Sequence, residues 1–127
     1  MTDLRTFSER SKAKLQGVDP RLVKVAEIAL QRSPFDFGIT EGLRTAERQK
    51  QLVAEGKSQT LRSRHLLGRA IDFVVYINGK ANWDLSNYEK VAQVFLEVGK
   101  EQGIELEAGA FWKTFKDGPH IQLKDGV

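Results

Sequence analysis

The sequence predicts a single α+β domain in which helices pack around a small, largely antiparallel sheet. Three observations lead to this fold class. Apolar residues recur at helical spacing in 18–33, behind a helix start signal. Residues 70–77, AIDFVVYI, are rich in β-branched and aromatic types and precede a turn dipeptide. The 127 residues contain no internal repeat, low-complexity tract or linker, so we expect one domain over 1–127. Helices followed by strands around one further helix are typical of α+β folds.

The first half of the chain predicts two helices. A short first helix is indicated by three apolar residues, Leu4, Phe7 and Leu15. The second has a clear start, with Asp19 as N-cap and Pro20 at the first helical position. Its core-facing stripe consists of Leu22, Val25, Ile28 and Ala29.

Two more helices are predicted further along the chain. Thr45 can cap the charged segment AERQKQLVAEG, which ends at Gly56. Ser86 and Glu89 have the spacing of a capping box, which predicts that the last helix starts there and stops near Gly103.

The remaining apolar segments predict strands. AIDFVVYI is the strongest, and the Asn78-Gly79 pair after it predicts a hairpin turn. Shorter strands are expected in FDFGITEGLR, IELEAG and PHIQL, with AFWKTFKDG as a connection that bears aromatic residues.

Composition excludes some classes of protein and leaves others open. The chain has no cysteine, which excludes disulfides and thiolate metal sites. No apolar stretch approaches the length of a membrane span, so we expect no stable membrane association. The net charge of +3 suits an anionic partner such as nucleic acid, a lipid surface or a bacterial wall polymer.

Asp72 occupies an unusual place for a carboxylate, inside the apolar strand AIDFVVYI. Strand alternation puts it on one face with Ala70 and Val74, so partial burial is expected, and a buried carboxylate is normally paired or metal-bound. The only two histidines are His65, upstream of this strand, and His120 in the last one.

Two imidazoles and a carboxylate can supply the three protein ligands of a catalytic zinc. Asp117, three residues before His120 across a Gly-Pro turn, can add a carboxylate that acts as general base. Spacing alone leaves alternatives open: Asp72 can pair with Arg44 or Arg69, and Asp117-Gly118 is also an ordinary turn dipeptide.

Two motifs resemble those of a known family. SRHLLGRAID, at 63–72, fits the SxHxxGxAxD signature of the zinc D-alanyl-D-alanine carboxypeptidase and L-alanyl-D-glutamate endopeptidase (VanY-like) family. DGPH, at 117–120, is similar to its second signature. Further similarity to the phage endolysin branch covers nearly the whole chain, including the segments FSERS, GVDPRLVKVAEIAL, SPFDFGITEGLRTAERQKQLVAEGKS and FWKTFKDGPHIQL.

The resemblance implies a role for each matching residue. His65, Asp72 and His120 would bind Zn²⁺, at the edge of a hedgehog/D-Ala-D-Ala peptidase-like sheet. Asp117 would be the general base for the attacking water, and Arg44 would bind substrate or the developing oxyanion. Two further residues, Ser63 and Trp112, are expected to contact substrate, although an aromatic residue such as Trp112 can equally belong to the core.

The implied reaction is hydrolysis of the L-alanyl-D-glutamate bond of the peptidoglycan stem peptide by a phage endolysin. Asp117 in place of Glu, and Pro119 in place of Trp, favour this branch over the carboxypeptidases. We expect a monomer that consists of one peptidase domain, has no separate wall-binding domain and does not bind nucleic acid. The N-terminal sequence shows no signal peptide. The protein would therefore stay in the host cytoplasm until a holin-like partner gives it access to the periplasm and cell wall.

Two other functions remain open from sequence. A D-alanyl-D-alanine carboxypeptidase or dipeptidase would use the same zinc site. A basic module without catalytic activity would bind wall polymer or nucleic acid through its net positive charge.

Overall fold

The computed structural model describes residues 5–43, 46–56, 68–113 and 116–124 of the chain. Its helices are α1 (Glu9–Lys14), α2 (Pro20–Arg32), α3 (Ala46–Ala54) and α4 (Leu85–Glu101). Its strands are β1 (Asp36–Glu41), β2 (Ala70–Ile77), β3 (Lys80–Asn82), β4 (Leu106–Ala108) and β5 (His120–Leu123). A short 3-10 helix, Gly109–Phe111, follows β4.

The strands form one antiparallel sheet with β2 near its centre. The order is β1-β2-β5-β4, and β3 also pairs with β2. Val75 and Tyr76 pair with both β1 and β3, so these two strands lie on opposite edges of β2. Because β5 pairs with the first half of β2 on the edge away from β1, β5 and β3 follow one another along the same edge. The expected α+β fold with an antiparallel sheet is confirmed.

One face of the sheet packs against α2 and α4 to form the core. Ile71, Phe73 and Val75 of β2 all belong to this buried cluster. Aromatic rings fill its centre, with the Phe73 ring 5.5 Å from those of Phe37 and Phe95. The alternate residues of β2, including Asp72, therefore point to the opposite face. Because α2 and α4 lie on the core side, the second face can hold the polar side chain of Asp72.

The signals for α1 and α2 are borne out. Asp19 caps α2, and its side chain accepts a hydrogen bond of 2.9 Å from the backbone N–H of Arg21. Ser8 caps α1, and Phe7 and Leu15 are buried beside it. Leu4 and Thr45, the other residues used for the helix predictions, lie outside the described residues.

Two sequence predictions about the α4 region need correction. The Ser86–Glu89 capping box is wrong, because α4 starts at Leu85 and Asp84 is its N-cap. The physical reason lies just upstream: Asn82 Oδ1 accepts hydrogen bonds from the Asp84 backbone N–H and the Asn87 side chain. This turn leads the chain into the helix early and leaves Ser86 inside it. The three-residue strand β3 was also missed, since so short a segment shows no alternation.

No helix in the described part of the chain is both long enough and apolar enough to cross a membrane.

Candidate active site

Pairing of β2 with β5 places Asp72 directly opposite His120. The backbone N–H of Phe73 donates to the Pro119 carbonyl at 3.0 Å, and that of Leu123 donates to Arg69 at 2.9 Å. These bonds alternate along the ladder, so Asp72 and His120 form a non-hydrogen-bonded pair, the kind whose side chains lie closer together. Two residues 48 positions apart in sequence thus meet on the polar face of the sheet.

Gly68 lets the chain turn into β2. Its φ is +68°, a left-handed conformation, and a Cβ there would lie 2.4 Å from the carbonyl oxygen of Gly17. The Gly68 carbonyl in turn accepts a hydrogen bond from the Asp19 N–H at 2.8 Å. Glycine is therefore required here, as its place in the first motif suggested.

The turn Asp117–His120 brings the second carboxylate to the site. It is closed by a hydrogen bond from the His120 N–H to the Asp117 carbonyl, 3.1 Å. The Asp117 N–H donates to the Gly109 carbonyl at 3.1 Å, and a Cβ on Gly109 would lie 2.2 Å from the Asp117 carbonyl oxygen. The turn thus rests on the 3-10 helix at a point where only glycine leaves room.

The three side chains converge on one point. Asp72, Asp117 and His120 each offer a ligand atom, and these atoms all lie within 4.8 Å of one another. His120 Nδ1 is 3.2 Å from Asp72 Oδ1 and 4.0 Å from Asp117 Oδ2. Exposure separates the carboxylates, since the Asp72 side chain is 20% exposed and that of Asp117 is 48% exposed. Asp72 is the inner carboxylate and Asp117 faces solvent.

The other nitrogen of His120 is held by a polar chain that crosses two strands. Its Nε2 lies 2.8 Å from Gln122 Oε1, which can only accept. The Gln122 amide donates to Glu107 on β4 at 3.1 Å. Gln122 therefore fixes a proton on Nε2 and leaves Nδ1 turned toward the carboxylates.

Electrostatics at His120 favour positive charge. Burial lowers the pKa of its imidazole, but the hydrogen bond and charge of Asp72, together with Gln122 and Asp117, more than offset this effect. The net result is a pKa above the ordinary histidine value. The site is thus an environment that attracts a cation.

The donor set fits a zinc ion. Zinc binds imidazole nitrogen and carboxylate oxygen at roughly 2.0–2.2 Å, so two ligands at a tetrahedral angle stand about 3.4 Å apart. The 3.2 Å between His120 Nδ1 and Asp72 Oδ1 is close to that spacing, whereas the 4.0 Å to Asp117 is longer. The bond from Nε2 to Gln122 is the kind of outer support that metal-binding histidines usually have.

Trp112 lies beside the imidazole. The two ring centroids are 5.3 Å apart, and Trp112 is half-buried and outside the core cluster of the described residues. The structure thus places it next to His120, and its contact with substrate stays a prediction. Three other predicted site residues, Arg44, Ser63 and His65, lie outside the described residues.

A family model for phage L-alanyl-D-glutamate peptidases matches residues 4–124. The chain belongs to this family. Membership confirms the resemblance carried by the two motifs and makes the chain a peptidase, and hence a hydrolase. The reaction expected from sequence, that of an L-alanyl-D-glutamate peptidase, is the one for which the family is named.

Individual relatives of this peptidase agree with the family assignment. It is 43% identical to the L-alanyl-D-glutamate peptidase of Escherichia phage T5, over 95% of this chain and 90% of the relative. It is 31% identical to the peptidoglycan L-alanyl-D-glutamate endopeptidase CwlK of Bacillus subtilis, over 70% of this chain and 61% of the relative. The crystal structure of the Serratia marcescens L-Ala D-Glu endopeptidase ChiX superposes with a TM-score of 0.87 at 46% identity, covering 93% of this chain and 89% of that chain.

Sequence reasoning missed the support that Gln122 and Glu107 give to the site. A signal was present, because alternation puts Gln122 on the same face of the last strand as His120. The segment IELEAG was predicted as a strand, but its pairing with the last strand was not, so Glu107 could not be placed beside Gln122.

Proposed function

We propose that this peptidase is a zinc enzyme that cuts the L-alanyl-D-glutamate bond of peptidoglycan stem peptides. Asp72 and His120 hold the metal, with His65 as the third protein ligand. The observation that carries the proposal is the convergence of two carboxylates and one supported imidazole within 4.8 Å. The peptidoglycan substrate is supported by the relative CwlK, whose name states it.

The side chains divide the work by position. Zinc, when bound, supplies a Lewis acid that acidifies a water molecule and polarises a carbonyl oxygen. Asp117, exposed and outside the closest ligand spacing, takes the proton of the water that attacks the alanyl carbonyl carbon. As the carbon–nitrogen bond breaks, Asp117 returns this proton to the amine of D-glutamate.

Three further residues complete the proposed mechanism. Arg44 stabilises the negative charge that develops on the carbonyl oxygen, because its planar fork suits an oxyanion. Ser63 and Trp112 contact the substrate. For Trp112, the support is its position 5.3 Å from the His120 ring.

Two substitutions test these roles, because one should remove turnover and the other should remove the metal. We expect Asp117→Asn to keep zinc and to lose turnover by roughly a hundredfold or more, since a general base contributes about 10²–10⁴. Asp72→Asn should instead lose zinc, because a neutral amide is a poor ligand. Zinc content by mass spectrometry and hydrolysis of a defined muropeptide measure the two effects.

The matched control is Asp84→Asn, because Asp84 is exposed and its side chain makes no capping hydrogen bond to α4. It should leave both zinc and turnover unchanged. Full activity in Asp117→Asn would remove the proposed base, and full zinc content in Asp72→Asn would remove the proposed ligand.

The products decide which bond is cut. Digestion of purified peptidoglycan should create new amino-terminal glutamate without releasing free alanine. Release of D-alanine with intact L-alanyl-D-glutamate links would show the carboxypeptidase reaction instead.

We also propose that the described residues act as one monomeric catalytic domain that reaches the wall from the host cytoplasm with the help of a holin-like partner. The support is that a relative with 43% identity comes from a bacteriophage. Sedimentation of the purified protein tests the monomer, and lysis with and without a co-expressed holin tests delivery.

A further inference from the structure

A groove continues along the polar face of the sheet beyond the metal ligands. Val74 and Tyr76 follow Asp72 at two-residue intervals on β2, so they share its face. Both line a groove of about 430 Å³ between α1 and β3. That volume is within the range of small-ligand sites. Tyr76 lies four positions along β2 from Asp72, a distance of about 13 Å.

Trp83 forms one wall of this groove and is 64% exposed, the most exposed of the large apolar side chains in the described residues. Its ring stacks on that of Tyr88, with centroids 6.0 Å apart and planes 12° apart. Tyr88 is fully buried and held by its hydroxyl, which donates to the Asn82 carbonyl and accepts from the Val75 N–H. Trp83 is therefore a flat apolar surface on a rigid support.

The same support reaches the catalytic turn. A Cβ on Gly118 would lie 3.3 Å from the Cβ of Tyr88, so the Asp117–His120 turn packs against this tyrosine. Trp83 is thus one aromatic ring away from the residue that follows Asp117. Tyr88 thus supports Trp83 through its ring and also packs against the Asp117–His120 turn, and β2 carries both Asp72 and the groove residues Val74 and Tyr76.

The rim of the groove is polar. Arg10 and Lys14, both exposed, project from α1, and hydroxyl groups of Thr6, Ser8 and Thr40 also line it. A flat aromatic face surrounded by hydrogen-bonding groups matches the chemistry of a sugar ring, which has an apolar face and polar edges. An extended peptide would not need a flat platform of this kind.

We propose that this groove is a glycan subsite, which binds the sugar of the peptidoglycan strand next to the peptide that is cut. The inference rests on the proposed function. In peptidoglycan, L-alanine is joined through a lactyl group to N-acetylmuramic acid, so a sugar begins about two residue lengths, roughly 7 Å, from the cleaved bond. The next sugar extends to about the distance at which Tyr76 lies. The enzyme would then recognise the stem peptide together with its glycan.

Binding of glycan without peptide tests the subsite independently of catalysis. The chain has two tryptophans, so its indole N–H groups give two NMR signals that Trp83→Phe and Trp112→Phe assign. Titration of the zinc-loaded protein with a peptide-free tetrasaccharide of alternating N-acetylglucosamine and N-acetylmuramic acid should shift the Trp83 signal. Absence of a shift at millimolar glycan, or a shift of the Trp112 signal alone, would overturn the proposal.

Kinetics then compare two substrates, a disaccharide-linked stem peptide and the same peptide without sugar. Trp83→Ala should lower kcat/KM for the glycan-bearing substrate by about tenfold and leave the free peptide unchanged, because an aromatic anchor contributes at least that much. Trp83→Phe should retain most of the preference.

Charge controls use two exposed lysines, Lys14 at the groove and Lys100 on α4. Lys14→Ala should weaken glycan binding, whereas Lys100→Ala should not. Equal loss for both substrates in Trp83→Ala would show a peptide site or a general defect, and would contradict the glycan subsite. A protein that binds glycan but cuts no peptide would keep the subsite and remove only the proposed function.

Discussion

His120 has a fixed environment on both of its ring nitrogens. Nδ1 faces Asp72 at 3.2 Å, and Nε2 faces the Gln122 carbonyl oxygen at 2.8 Å. Because the Gln122 amide is itself held by Glu107, the imidazole can rotate little without breaking two hydrogen bonds. Orientation of the imidazole therefore depends on Gln122 and Glu107, which lie outside the group formed by Asp72, Asp117 and His120.

Truncation of the support should weaken the site without unfolding the protein. We expect Gln122→Ala to lower zinc affinity by about 10–100-fold, the usual effect of losing the outer partner of a metal-binding histidine. Competition with a chromogenic chelator measures the affinity directly. Gln93→Ala, on the exposed face of α4, is the matched control. Unchanged zinc affinity in Gln122→Ala would show that β5 alone orients the ring.

Among the elements, α2 depends on a single cap that senses pH. Asp19 accepts from the Arg21 backbone and also receives two hydrogen bonds from the Arg21 guanidinium, at 3.1 and 2.8 Å. The side-chain hydrogen bonds from Arg21 hold the pKa of Asp19 below its ordinary value of 3.8. The group thus favours the folded state when it is ionised.

The lowered pKa of Asp19 determines how this stabilisation changes with pH. The stabilisation is full at pH values above the ordinary pKa and is lost as the pH falls through the lowered folded pKa. Asp19→Ala should therefore reduce the free energy of unfolding by about 1 kcal/mol at pH 7, and the difference from wild type should shrink below about pH 4. Urea denaturation at several pH values measures both effects.

Asp19→Asn separates the two contributions, because asparagine still caps a helix but carries no charge. It should be more stable than Asp19→Ala at pH 7 and show no loss of its advantage in acid. A difference between wild type and Asp19→Ala that is constant from pH 7 to pH 3 would contradict the pKa direction.

Local signals in the sequence were sufficient to predict most elements. They also singled out Asp72 and His120, whose role as metal ligands stays a prediction. Asp19 and Pro20 marked the start of α2, and a carboxylate in the apolar strand AIDFVVYI indicated a cation site. The start of α4 was misplaced because Asn82 redirects the chain through a side-chain turn that competes with the Ser86 signal. The Gln122–Glu107 contact depends on the pairing of β4 with β5, which composition and spacing do not determine.

For the molecule as a whole, the core and the proposed metal ligands lie on opposite faces of the sheet. The core cluster includes Phe37, Phe73 and Phe95 but not Asp72 or Asp117. Burial of the apolar cluster thus stabilises the fold without the metal. This differs from small zinc domains, in which metal binding and folding are one event.

Removal of the metal should therefore abolish activity and leave the protein folded. We expect EDTA to abolish hydrolysis, to preserve the far-ultraviolet circular dichroism spectrum and to lower Tm by several degrees. A ligand at 100 times its Kd contributes about 2.7 kcal/mol to the folded state, which sets the scale of that decrease. Added zinc should restore both activity and Tm. Loss of helical signal on chelation would show that the metal is part of the fold.

The pairing of Asp72 with His120 also has a consequence for how the chain matures. Since 48 residues separate the two side chains, the site does not exist until β5 has docked on β2. We expect contacts between such distant segments to form after the local helices and the β2–β3 hairpin. A partly folded chain that already has its helices would still be inactive. The protein would therefore hydrolyse its substrate only after the sheet is complete.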